Sequence, residues 1–328
     1  MMSKCTFIIP YYGEFPEYFQ LFLNSCKYNP DFEWLIFTDN RKAYSWPKNV
    51  HVHYESFKKM QERVYNAFPF HPELKTPYKL CDLKPMYGYL FSDYLKKTDF
   101  WGYCDCDLIF GNLNLFITDS LLDSYDKIFS LGHCSLIRNT EKNNTRFMQP
   151  LNGRPIYQEV LQSNRIFTFD ESYLPTNINE IFKQSGATIY VEDRSANTRA
   201  RSTLFQITRY HDDLKTYFTE QPHRSVYIWT SGHLYRYSTN LGEFSRTELM
   251  YMHLQRRKMH VSDPSLCSAS TFKIIPGSFE MLEVSEVTAQ NFDSIQWKKL
   301  NNNLRHRINI IKGDIKFWKS RIKNSIVS

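Results

Sequence analysis

The sequence predicts an α/β fold: a mostly parallel central sheet flanked by helices, with a helical extension at the C terminus. Three observations predict it. Short apolar runs alternate with segments of helical periodicity over the first third of the chain. Two carboxylates, Asp105 and Asp107, follow one of those runs. Residues 297–328 carry nine basic side chains and one acid, on an apolar stripe of helical spacing.

The elements follow in order. Residues 5–10 (CTFIIP) read as a buried strand and 15–26 as a helix. WLIF at 34–37 is a second buried strand, ended by Thr38-Asp39-Asn40, and 50–53 is a short third. Residues 57–67 and 85–95 have helical patterns, 100–104 is a strand running into Asp105-Cys106-Asp107, and 127–131 is another strand. Continuous apolar strands of this kind suit a parallel sheet covered on both faces. After about residue 140 the pattern changes. Residues 189–191, 204–208 and 249–254 are strands, 226–229 and 234–237 form a hairpin around Ser231-Gly232, and 288–325 is helical. The expected organisation is one catalytic unit over 1–285, with halves meeting near 135, and a basic amphipathic helix over 286–328.

Composition excludes several classes. The net charge of +7 resides in the tail: residues 297–328 carry +8 and the remainder −1. A nucleic-acid binder spreads its charge over a face of the body, so none is expected. With 11 glycines the chain has no G-x-G-x-x-G and no Walker A sequence. Seven cysteines without secreted-type spacing predict reduced thiols and a cytoplasmic location. No apolar run reaches 18 residues, and the first ten lack the parts of a signal peptide.

The sharpest local feature is WGYCDCDLIFG at 101–111. Two carboxylates two residues apart, at the end of a buried strand, repel unless a cation joins them. Mg²⁺ or Mn²⁺ prefers such oxygens together with phosphate oxygens, and strand ends are where open α/β sheets bind ligands. The motif therefore reads as a metal-diphosphate site; the bland alternative is a solvated turn. Cys104, Cys106, His133 and Cys134 do not suggest zinc, because structural zinc prefers C-x₂₋₄-C spacing.

FIIPYYG (7–13), WLIFTDN (34–40), PYKLCDLKPMYGYLF (77–91), WGYCDCDLIFG (101–111) and YMHLQRRKM (251–259) occur in this order. As an ordered set they resemble the GT-A glycosyltransferases of bacterial capsule, O-antigen and exopolysaccharide clusters, over residues 1 to about 260. The resemblance implies a Rossmann-like GT-A fold and a nucleotide-sugar donor, UDP-galactose being the first expectation. It implies that Pro10, Tyr11, Tyr12 and Asp39 hold base and ribose. Asp105 would face ribose and metal, Asp107 would bind the metal directly, and His253 would be a third ligand. Asp82 and Lys84 would contact the donor, and Arg257 and Lys258, in the Arg256-Arg257-Lys258 run, would hold phosphate. The residues at 132–139 would line the sugar pocket.

An inverting transferase needs a carboxylate to deprotonate its acceptor. Asp170 is the first candidate and Glu171 the second; as neighbours in an extended segment, only one should face the cleft. The acceptor would be a lipid-linked or growing polysaccharide. A haloacid-dehalogenase-type phosphatase is disfavoured by Ile109, where that family has Thr or Val, and by three strands preceding the motif. A catalytically inactive membrane scaffold or lectin is the other alternative. In the tail, Leu300, Leu304, Ile308, Ile311, Ile315, Trp318 and Ile322 form one helical stripe. It would dock on an anionic membrane surface, placing the enzyme on the inner face of the cytoplasmic membrane, or would pack on the body or on a second subunit in a homo-oligomer.

Overall fold

The computed structural model describes residues 3–295, apart from 200–203, 222, 241 and 256, together with residue 311. The predicted tail helix, its membrane or subunit contact and Arg256 lie outside the described residues, except for a short helical turn at Phe292–Ile295. Among the described residues no helix is long and apolar enough to cross a membrane.

In chain order the first strands are β1 (Ser3–Pro10), β2 (Phe32–Thr38), β3 (Val50–Tyr54), β4 (Thr98–Cys104), β5 (Leu108–Phe110), β6 (Lys127–Leu131), β7 (Cys134–Arg138), β8 (Ile189–Tyr190) and β9 (Ala196–Asn197). They are followed by β10 (Thr208–His211), β11 (Thr216–Thr219), β12 (Arg224–Thr230), β13 (His233–Asn240), β14 (Glu243–Leu249), β15 (Tyr251–His253), β16 (His260–Val261), β17 (Thr271–Ile275) and β18 (Ser278–Glu280). The central sheet has the order β3-β2-β1-β4-β7-β6-β8. The first four strands are parallel, as the sequence predicts. β7, which the sequence reading lacked, runs antiparallel to both neighbours, so the sheet is mixed.

Alternation along each inner strand explains why both faces are buried. Phe7, Trp34 and Ile36 enter the core under helix α1 (Phe19–Lys27), while Ile8, Leu35 and Phe37 enter the opposite core with Met60 and Val64 of α2 (Phe57–Ala67). Successive side chains point to opposite faces, which makes the strands read as unbroken apolar runs. The predicted helix over 85–95 instead belongs to a chain of short turns that starts before it with α3 (Leu80–Leu83) and continues through α4 (Tyr87–Leu90). Pro85 opens one of these turns and interrupts regular helical bonding.

The predicted hairpin at Ser231-Gly232 is present. Both turn residues have positive φ, +46° and +87°, as a two-residue hairpin loop requires. It belongs to a six-stranded sheet, β14-β13-β12-β17-β18-β16, that the sequence reading did not foresee. Trp229 of this sheet donates from Nε1 to the Phe110 carbonyl at 2.8 Å, tying it to the strand after the acidic pair. The predicted strand at 249–254 is broken at Met250 into β14 and β15, and that at 204–208 lies later, as β10.

Candidate active site

The order β3-β2-β1-β4 reverses between β1 and β4, and ligands bind at such a switch point, beyond the carboxyl ends of the strands. Asp105 and Asp107 leave β4 there. A small sheet, β5-β15-β9, fixes what faces them. β15 pairs antiparallel with β5, setting His253 opposite Leu108, and parallel with β9, setting His253 beside Asn197. His253 Nε2 lies 3.4 Å from Asp107 Oδ1 and 3.8 Å from Asp105 Oδ2. Its Nδ1 is 3.1 Å from Asn197 Oδ1, which also accepts from Gln255 Nε2 at 2.7 Å. An acceptor at Nδ1 places the ring proton there and leaves Nε2 as the ligand atom.

Asp105, Asp107 and His253 are the one group of three such side chains among the described residues with ligand atoms within 4.8 Å of one another. Asp107 Oδ1 is buried and has no hydrogen-bond partner. Such an oxygen is costly unless positive charge meets it; here His253 stands 3.4 Å away, and two carboxylates with one imidazole nitrogen are a donor set that fits a hard divalent cation. Burial opposes charge on His253, but Asp107 and Asp105 outweigh it and raise its pKa. Burial likewise opposes the charge of Asp107, and His253 overcomes it, lowering its pKa.

Behind the acidic pair sits Lys84. Its Nζ is 2.7 Å from Asp105 Oδ1, 2.8 Å from the Gly132 carbonyl and 3.1 Å from Asp170 Oδ2. Asp170 and Glu171 do not lie in an extended segment. Thr168 has φ +52° and its carbonyl accepts from Glu171 N at 3.0 Å, so this is a turn and both carboxylates line one cavity. That corrects the expectation that only one would face the cleft. Burial raises both pKa values, that of Asp170 to about 7, although Lys84 opposes the shift in each. Glu171 Oε2 accepts from Gly132 N at 3.2 Å.

Two adjoining cavities flank the centre. The first, about 450 Å³, is lined by Pro10, Tyr11 and Tyr12 on one side and Lys84, Asp105 and Asp107 on the other. Tyr12 donates to Glu55 Oε1 at 2.8 Å, and Glu55 is itself held by Arg63. The second, about 720 Å³, shares the acidic pair and Lys84 and continues past Asp170, Glu171 and His253. Asp39 is exposed and lines neither cavity; its Oδ1 accepts from Gly13 N at 2.8 Å and holds the loop after β1.

Three further expected ligand contacts are corrected. Asp82 is fully buried: one oxygen accepts from Lys79 Nζ and Phe167 N, both at 2.9 Å, and the other from Phe169 N at 3.0 Å. With both oxygens bonded to buried neighbours, it pins the segment that carries Asp170 rather than touching a donor. Arg257 is also buried. Its Nη2 donates to the Arg199 and Leu204 carbonyls, and its guanidinium lies 5.0 Å over the Phe205 ring. It lines neither cavity, and burial lowers its pKa to about 10. Lys258 is exposed and also lies outside the cavity walls.

Of the 132–139 segment, His133 lines the second cavity, whereas Arg138 Nη2 donates to the Leu122 and Tyr125 carbonyls. The sequence reading missed Asn197, Arg199, Tyr217 and Gln255, which also line the second cavity. Asn197 and Tyr217 lie on strands of two and four residues, too short to show a period, and Arg199 and Gln255 lie outside any strand.

No curated protein matches the chain. Among solved structures it is similar to a crystal structure of galactosyltransferase LgtC in complex with donor and acceptor sugar analogs. The identity is 11%, the coverage 59% of this chain and 75% of that one, and the TM-score 0.29, too loose an overlap to bear on function. A family model described as a family of unknown function, DUF6625, matches residues 7–283. With most of its length inside that match, the chain belongs to DUF6625.

Proposed function

We propose that this chain is a metal-dependent glycosyltransferase of GT-A architecture that takes a nucleotide-diphosphate sugar. The observation that carries the proposal is the cluster of Asp105, Asp107 and His253 at the β1/β4 switch point, whose two acids line both adjoining cavities. Asp105, Asp107 and His253 would hold Mn²⁺ or Mg²⁺, which when bound neutralises charge on a diphosphate leaving group. Pro10, Tyr11 and Tyr12 line the cavity assigned to the nucleoside. Lys84 fixes Asp105 from behind. Glu171, half-buried and open to the second cavity, is the better-placed base for an acceptor hydroxyl; Asp170 is buried and spent on Lys84.

The finer reading is transfer of a hexose, galactose first, from UDP to a lipid-linked or growing surface polysaccharide, with inversion, by an enzyme peripheral to the cytoplasmic membrane. The test is a panel of nucleotide sugars with Mn²⁺ or Mg²⁺. Turnover of one donor, abolished by chelation and by Asp107→Ala, supports the reading. Absence of metal-dependent nucleotide binding refutes it.

A further inference from the structure

Hairpin β10–β11 forms a two-stranded sheet of its own. Its register pairs Thr208 with Thr219 and Tyr210 with Tyr217. Directly opposed residues share a face, so these four lie on one side and Arg209, His211, Thr216 and Phe218 on the other. Thr208, Tyr217 and Thr219 line the second cavity. Tyr210, on the same face, donates its hydroxyl to the Ser172 carbonyl at 2.7 Å and fastens the hairpin to the turn bearing Glu171. The Tyr217 ring stands 6.2 Å from that of Tyr173, which follows the same turn. Every side chain on the inner face carries a hydroxyl and none carries a charge. On the outer face Phe218 is exposed and packs edge-on against His211 at 4.7 Å.

We propose that this hairpin is the acceptor platform and that it takes a neutral saccharide. The inference rests on the transferase reading. Hydroxyls donate and accept equally, which matches a polyol whose groups do the same. Tyrosine rings add an apolar body beside a polar tip, which suits the mixed surface of a pyranose. An acidic sugar would lie near four carboxylates, Asp105, Asp107, Asp170 and Glu171, in the same cavity. Lys84 is committed to two of them, so among the described residues of the cavity wall Arg199, exposed at the rim, is the arginine or lysine left to hold such a sugar.

The test is binding to the full chain, measured by saturation-transfer NMR and calorimetry, of neutral gluco- and galacto-configured oligosaccharides and of a uronic-acid oligosaccharide. UDP with Mn²⁺ is titrated in parallel. Neutral oligosaccharides bind, and Tyr217→Phe and Thr219→Val each weaken them about two- to tenfold, the range of one lost hydrogen bond. Phe218→Thr, on the outer face, leaves binding unchanged. The proposal is overturned by equal binding in both inner-face variants, by absence of saccharide binding, or by preferred binding of the acidic oligosaccharide that Arg199→Gln removes. Saccharide binding that depends on the hairpin, without any UDP binding, upholds the platform and overturns the transferase reading instead.

Discussion

Replacing Asp82 separates a structural role from a donor contact. Asp82 and Lys79 are 0% and 1% exposed and meet at 2.9 Å. Asp82→Ala leaves that ammonium in the core with the Arg165 carbonyl and the Phe167 ring, and strands the amides of Phe167 and Phe169. Breaking a buried pair from one side costs about 3–5 kcal/mol, and an unpaired buried amide about 1–3 kcal/mol. These costs overlap, because relaxation that relieves one relieves the others, so the expected loss is about 4–6 kcal/mol. That is a large part of a domain's total stability of about 5–15 kcal/mol. The assay is urea unfolding, with the midpoint and slope both read. Asp82→Asn keeps an acceptor oxygen and is the variant for kinetics. It should hold nucleotide affinity while kcat falls, because the backbone it anchors leads into Asp170 and Glu171. A loss under about 1 kcal/mol in Asp82→Ala, which is the scale of an ordinary substitution, would refute the pin. So would weakened nucleotide binding in a fully stable Asp82→Asn.

Removing the Asn197 amide beside His253 should weaken Mn²⁺ about 10–100-fold in titration calorimetry, the usual cost of losing an orienting partner; unaltered affinity would show that the ring needs no such support. Because the pKa of His253 is raised, protons compete with the metal as pH falls through it, so Mn²⁺ affinity should drop on acidification, and a flat profile would speak against His253 as a ligand. A Cβ at Gly132 would collide with Asp170 Oδ2 and come within 2.9 Å of Glu171 Oε1, so Gly132→Ala should lower kcat while leaving Mn²⁺ affinity intact; unchanged turnover would exclude both acids. Burial lowers the pKa of Lys127 from the ordinary lysine value of 10.5 to about 7, so the unfolded chain binds more protons between those values. Stability should rise with pH across that window, by up to about 1.4 kcal/mol per unit, and Lys127→Met should flatten the slope; an identical slope would show that Lys127 is not its source.

The parallel half of the sheet was legible because buried strands leave an unbroken apolar signature, as in FIIP and WLIF. The cluster of Asp105, Asp107 and His253 was legible through residue type and order: two acids follow a strand, and a histidine stands late in the chain. Other features depend on distant partners. Asp82 looks like an exposed helical acid until residues 167 and 169 arrive from 85 and 87 positions away to occupy it. Arg257 reads as part of a basic surface run, yet its guanidinium packs on Phe205 and binds two carbonyls. The Asp170-Glu171 turn depends on positive φ at Thr168, a residue type that gives no warning of it. β9 and β15 are two and three residues long and exist only because β5 pairs with β15.

Lys84 links the Asp105–Asp107–His253 cluster electrostatically to the turn that bears Asp170 and Glu171. The second cavity collects four carboxylates, and without a metal the positive groups nearest them are Lys84 and a His253 that its acidic neighbours push toward protonation. Although burial opposes charge on Lys84, Asp105 and Asp170 raise its pKa well above the ordinary lysine value. It is therefore a fixed positive charge joining Asp105 to Asp170. A divalent cation beside Asp105 and Asp107 would displace the proton from His253 rather than compete with Lys84, because Lys84 approaches Asp105 through Oδ1 while His253 faces Oδ2. The two oxygens of Asp105 thus have separate duties. A cation there would draw on one oxygen without releasing the other, so Asp170 would keep its contact with Lys84 while Glu171 stayed open to the second cavity.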